Sequence, residues 1–157
     1  MLSRAAIAAA ALALAAVVGC RGFDVAQTCI FADENGAVVV VGYGSAEKPH
    51  RNTYVNPFTG QEMDFNSNLA VEVVLPDGDS FVAWRCMNFQ RSGTMYRTDN
   101  GRWMYHANGF TSSIYERRQD GGYDQVFSGV LCEAPKSDRP DNNKWRKMKK
   151  DAKGKWQ

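Results

Sequence analysis

The sequence predicts an all-β fold: a single small antiparallel β-barrel of about eight strands, followed by a flexible basic C-terminal tail. Between residues 24 and 133, short runs rich in β-branched and aromatic residues alternate with turn-forming residues, and no run shows a 3.6-residue period. Asn35-Gly36 carries the strongest short-range hairpin signal. Because open sheet edges invite aggregation, a meander of this size is expected to close into a barrel or fold into a sandwich.

The strands are predicted from runs of Val, Ile, Thr and aromatic residues bounded by turns. We expect strands at residues 27–31, 37–43, 69–75, 80–86, 94–97, 103–106, 110–117 and 123–132. Residues 45–68 look irregular because Pro49, Pro57 and Gly60 interrupt them. The β-barrel domain is therefore predicted to cover residues 27–133.

The N-terminus has the pattern of a bacterial lipoprotein signal. Arg4 precedes an apolar run at residues 5–18, which is shorter than the roughly 20 residues of a spanning helix. The run ends in a lipobox-like Val-Val-Gly-Cys, so residues 1–19 are predicted to be the signal peptide and residues 20–26 a linker lipidated at Cys20. A plain secretory signal cut after residue 19, or a core helix, are the alternatives. Arg21 after Cys20 favours a protein in the cell envelope, anchored by lipid to the outer membrane and facing the periplasm.

Cysteine usage agrees with export, because disulfides persist outside the cytoplasm. Besides Cys20 there are Cys29, Cys86 and Cys132, so acylation of Cys20 leaves one of these three over. A Cys29–Cys132 bridge would close a loop of roughly 100 residues. Without acylation, Cys20 and Cys86 could form a second bridge. No Cys-x-x-Cys is present and the two histidines stand far apart, so we predict no metal and no cofactor.

The predicted folded part and the C-terminus differ in net charge. The whole chain has 19 Lys and Arg, 17 Asp and Glu and a net charge of +2, but residues 136–157 hold nine basic and three acidic residues. Residues 20–135 carry 9 basic and 14 acidic residues, a net −5. We predict that residues 134–157 are a disordered tail; attraction to anionic lipid or cell-wall polymers, with Trp145 and Trp156 as anchors, is the alternative. A nucleic-acid partner is not expected outside the cytoplasm.

Signatures of enzymes are scarce. Gly42-Tyr43-Gly44 lacks the third glycine of a dinucleotide fingerprint, and no Gly-x-Ser-x-Gly or Walker sequence occurs. The Ser, His and Asp residues show no spacing that indicates a triad. The sequence therefore favours a binding protein over an enzyme, with no small-molecule substrate.

One pair of motifs resembles a known family. Ser92-Gly93-Thr94-Met95-Tyr96 is followed by an aromatic strand and Asn108-Gly109. This resembles the membrane-bound inhibitors of c-type lysozyme, periplasmic lipoproteins with an antiparallel β-barrel, whose members carry Ser-x-Ser-Gly-Ala-x-Tyr and then an aromatic strand ending in Lys-Gly. Ser92, Gly93, Tyr96 and Gly109 match. Gln90, Thr94 and Asn108 stand where the family has serine, alanine and lysine.

The resemblance implies a site and a mechanism. Ser92, Gly93, Tyr96, Asn108 and Gly109 would bind lysozyme, with the loop serine inserted in the cleft against the catalytic carboxyl groups. Asn108 cannot supply the lysine charge, so about 1–3 kcal/mol of binding is expected to be lost unless Arg91, Arg102 or His106 compensates.

The resemblance also implies that Cys29 and Cys132 form the family's terminal disulfide. Two competing readings accompany this one. Ser92-Gly93 could be a simple tight turn, with Tyr96 and Trp103 as core aromatics. The protein could also be a structural or adaptor lipoprotein of the same fold without inhibitory activity, its basic tail contacting the cell wall or membrane.

Overall fold

The computed structural model describes residues 22–56, 59–88 and 92–133. These residues form eight strands, and each strand pairs antiparallel with its neighbour in sequence. β8 returns to β1 and closes the barrel, which confirms the predicted all-β fold of eight strands. The predicted signal peptide, Cys20 and the basic tail lie outside the described residues. The strands are β1 (Asp24–Ala32), β2 (Val38–Val55), β3 (Glu62–Val74), β4 (Ser80–Asn88), β5 (Thr94–Arg97), β6 (Trp103–Asn108), β7 (Thr111–Arg117) and β8 (Tyr123–Glu133).

Alternate residues of each strand build the barrel interior, as the two-residue period of a strand requires. Tyr96 and Tyr105 belong to the interior core, together with valines of β2 and β3. Their neighbours Met95 and Met104 lie on the opposite face of the same strands, in a second cluster with Cys86. The wall formed by β4, β5 and β6 is therefore buried on both of its faces.

The second cluster is formed with the help of long extensions of β2 and β3. Both strands are much longer than the sequence predicted. Residues 45–68 were expected to be irregular, but most of them continue the two strands as a paired extension. The register shifts between Ser45 and His50, and this irregularity accommodates Pro49, since proline is tolerated where a ladder is interrupted. From this extension, Tyr54 packs into the second cluster and donates a hydrogen bond to the Cys86 carbonyl at 2.6 Å.

The barrel begins earlier than predicted. β1 starts at Asp24 rather than at residue 27, and Asp24 pairs with Ser45 of β2. Phe23, only 8% exposed, meets the Trp84 ring edge-on with 6.1 Å between the ring centroids. Residues 23–26, which were assigned to the linker, are therefore part of the folded domain because Phe23 finds an apolar partner there.

The connections between successive strands lie alternately at the two ends of the barrel. The four turns β1–β2, β3–β4, β5–β6 and β7–β8 lie at one end, which we call the turn end. The connections β2–β3, β4–β5 and β6–β7 lie at the other end, together with the start of β1 and the finish of β8. We call this second end the terminal end. Residues 22–56, 59–88 and 92–133 contain no helix that could span a membrane.

Candidate functional site: the terminal end of the barrel

Ser92 precedes β5 at the terminal end, and it is exposed. The first residue of β5, Thr94, pairs with Ala107 near the end of β6. This pairing places Ser92 beside Asn108 and Gly109, where the chain turns from β6 into β7. The structure thus brings together two motifs that are separated along the sequence. The three residues before Ser92 lie outside the described ranges.

Gly93 makes the contact between the two motifs. Its φ is 99°, a conformation that residues with a side chain rarely adopt. A Cβ atom at Gly93 would lie 2.0 Å from the Ala107 carbonyl oxygen and 3.0 Å from the Asn108 Cα. The backbone of the Ser92 loop therefore lies directly against the end of β6, and only glycine fits there.

His106 adds a second connection. Its Nε2 lies 2.6 Å from the Ser92 carbonyl oxygen. Because a carbonyl oxygen only accepts, Nε2 carries the proton and donates it. His106 follows the strand register, which pairs it with Met95. The sequence motif gave His106 no positioning role; only the pairing of β5 with β6 reveals that this ring reaches the loop.

Asn108 and Gly109 form the exposed rim on the β6 side. Asn108 pairs with Thr111 across the two-residue turn, and its carbonyl oxygen accepts a hydrogen bond from Thr111 Oγ1 at 3.1 Å. Gly109 has φ 58°, and no heavy atom lies within 4 Å of the Cβ it lacks. Ser92, Gly93, Asn108 and Gly109 thus form one continuous surface of small neutral groups, three of them exposed.

Tyr96 is not part of that surface. Its side chain is 7% exposed, lies in the interior core and approaches the Tyr105 ring at 6.0 Å between centroids. Burial raises the pKa of Tyr96 to about 12, because the interior core would desolvate the ionised phenolate. Of the five predicted binding residues, Tyr96 supports β5 from inside while the other four lie at the rim.

Arg102 and His106, the two described residues that were expected to replace the missing lysine, both have other partners. Arg102 lies at the turn end and pairs with Glu116 at 3.1 Å, so it cannot replace the missing lysine. His106 is engaged with the Ser92 carbonyl. Arg91, the third candidate, lies outside the described ranges. The neutral Asn108 amide is therefore the polar group that this rim offers beside Ser92.

The predicted disulfide partners lie on paired strands. Cys29 is buried in β1 within the interior core, and Cys132 lies in β8 where the β1–β8 register shifts. The Cys132 Sγ is 3.1 Å from the Ile30 carbonyl oxygen. The Cys29–Cys132 bridge stays a prediction. Cys86 is a buried thiol on the other face of the wall, and burial raises its pKa to about 11.

Side chains that can ligate a metal are dispersed in the part of the chain that the structure describes. No group of three His, Cys, Asp or Glu side chains there is placed to hold a metal ion. The chain matches no protein family, no curated protein and no solved structure.

Proposed function

We propose that this protein is an envelope lipoprotein that binds a c-type lysozyme and inhibits it by inserting the Ser92 loop into the catalytic cleft. The observation that carries the proposal is the exposed Ser92 held beside Asn108 and Gly109 by the backbone contact of Gly93. Because the backbone of Ser92 and Gly93 is already held against β6, these two residues need little ordering when they bind, which favours affinity.

The residues of the rim suit a cleft that contains carboxyl groups. A glycosidase cleft holds two such groups, and the Ser92 hydroxyl could donate a hydrogen bond to one of them. The Asn108 amide could donate a second, neutral bond. The net −5 of residues 20–135 would attract a basic lysozyme and speed the encounter. Inhibition of this kind is steric occlusion, with no covalent step and no cofactor.

The test is inhibition of a c-type lysozyme by purified residues 21–157. Ser92→Ala removes the hydroxyl that would enter the cleft, and Ser80→Ala is the matched control, because Ser80 is an exposed serine at the turn end. A version ending at residue 133 removes the tail. We expect inhibition by the parent, the Ser80 variant and the truncated chain, and at least a tenfold weaker effect for Ser92→Ala.

The adaptor hypothesis gives a different pattern in the same assay. If none of the proteins inhibits, or if Ser92→Ala inhibits like the parent, cleft insertion is wrong. The basic tail would then become the candidate contact. Co-sedimentation with peptidoglycan or anionic vesicles, lost on truncation at residue 133, would support the adaptor role.

A further inference from the structure

The described residues leave a space in the barrel interior at the terminal end. A cavity of about 260 Å³ lies there among inward-facing residues of β1, with Tyr43 of β2 and Leu131 of β8 on its other sides. β1 contributes Gln27, Cys29 and Phe31. An eight-stranded barrel has an interior just wide enough either to be filled by side chains or to hold one small ligand. Side chains fill this barrel over most of its length, and at the terminal end there is room for a small ligand.

Small residues of β6 and its turn account for the space. Ala107 and Gly109 line the cavity, and Phe110 forms part of its wall. Ala107 continues the inward-facing series of Tyr105, whose large side chain is fully buried deeper in the barrel. A long apolar side chain at residue 107 would occupy the void, so the space follows from residue size and not from poor strand packing.

The cavity is apolar with a few neutral polar groups. Among the described residues that line it, none carries a charge; Gln27 has an amide, and the Tyr43 hydroxyl is hydrogen-bonded to the Tyr105 hydroxyl. Next to the cavity, Ser112 pairs with Ala107 and faces inward in the same series as core residue Ile114. Ser112 is 1% exposed, and its hydroxyl adds a neutral polar group beside the buried Tyr105 hydroxyl.

From these features we propose that the terminal-end cavity is a binding site for a small, neutral, mainly apolar ring compound of phenol to indole size. An apolar cavity of about 150 Å³ can bind benzene, so 260 Å³ suits a ring system somewhat larger. Three of the residues that line it, Phe31, Tyr43 and Phe110, are aromatic. A charged ligand would lose its hydration without gaining a counter-charge. This proposal does not depend on lysozyme inhibition.

The first experiment titrates the full mature chain with indole and phenol and, as charged counterparts of similar shape, with indole-3-carboxylate and benzoate. Binding is followed by amide chemical shifts in NMR spectra. We expect indole and phenol to bind with Kd at or below roughly 1 mM, with the largest shifts at Ala107, Gly109 and Leu131. The charged compounds should bind at least tenfold more weakly.

Two variants locate the site. Ala107→Leu fills the cavity and should abolish indole binding, whereas Ser128→Leu adds the same bulk to an exposed position of β8 and should leave it unchanged. Tyr43→Phe should weaken phenol binding severalfold and leave toluene binding unchanged. This comparison tests the site even if Ala107→Leu fails to fold. An indole Kd above roughly 1 mM, shifts confined to another surface, or full binding by a folded Ala107→Leu protein would overturn the proposal.

Discussion

The Ser92 carbonyl oxygen accepts a hydrogen bond of 2.6 Å from His106 Nε2, which connects the loop before β5 to the neighbouring strand. Ser92 itself is exposed, so this bond holds the loop by its backbone and leaves the hydroxyl available to a partner.

We therefore expect His106→Ala to weaken the proposed lysozyme inhibition while the barrel remains folded. A hydrogen bond of this kind contributes about 0.5–1.5 kcal/mol, which corresponds to roughly 2- to 12-fold in affinity. The measurement is the inhibition constant, with the far-UV circular dichroism spectrum as the check on folding. His50→Ala is the control, because His50 bonds Asp99 of the β5–β6 turn at 2.6 Å and lies away from Ser92. Equal effects of the two substitutions would contradict a positioning role for His106.

Gly93→Ala is expected to destabilise the protein by about 1–3 kcal/mol, because the new Cβ meets the Ala107 carbonyl oxygen and the φ of 99° is strained for alanine. Gly109→Ala tests the contribution of φ alone, since Gly109 also has positive φ but open space around its missing Cβ. Urea unfolding of both variants should show the larger loss for Gly93→Ala. The reverse order would mean that the close approach to β6 is not what requires glycine at residue 93.

Asn108→Lys should strengthen the proposed inhibition of a c-type lysozyme. An ammonium near the catalytic carboxyl groups adds a charge-assisted bond, so a gain of about 1–3 kcal/mol, or roughly 5- to 150-fold, is expected. Gln119→Lys adds the same charge at an exposed position of the turn end, and it controls for general attraction between the proteins. If both substitutions have the same effect, the gain is long-range attraction and not a bond at the rim.

Alkaline pH should destabilise the barrel. Burial raises the pKa of the Cys86 thiol from 9.0 to about 11, so the unfolded chain loses this proton before the folded chain does. The contribution of the neutral Cys86 thiol to the free energy of unfolding is fully present below pH 9, and it is lost as the pH rises toward and through 11. Cys86 alone should account for roughly 2 kcal/mol between pH 7 and 10.5. Urea unfolding at both pH values should show a smaller loss for Cys86→Ala than for the parent; an equal loss would show that Cys86 does not contribute.

The sequence predicted the barrel well because its signals are local. The Asn35-Gly36 turn joins β1 to β2 as expected, and Asp33 Oδ1 accepts hydrogen bonds from the Asn35 and Ala37 amides across it. The extension of β2 and β3 was missed because Pro49 usually interrupts a strand, and only the pairing of β2 with β3 shows that the ladder resumes at His50.

The rim could be predicted only in part, for a similar reason. The motif indicated Ser92, Gly93, Asn108 and Gly109, but the role of His106 depends on which residue of β5 it faces. Tyr96 was placed in the binding set because it matches the motif, whereas its side chain follows the two-residue period into the interior core. Motif letters do not show which face of a strand a side chain occupies.

The start of β1 at the terminal end limits how far a lipid-anchored form could hold its rim from the bilayer. Phe23 packs against Trp84, and only two residues lie between Phe23 and Cys20, so the chain can span about 10 Å between them. A small domain is about 30 Å across. If Cys20 carries the predicted lipid, the gap beneath the rim is too narrow for a whole enzyme. A lysozyme would then reach Ser92 only by approaching parallel to the membrane, or after the barrel tilts or is released. The short lipid-anchored segment would therefore itself limit access of a partner to the rim.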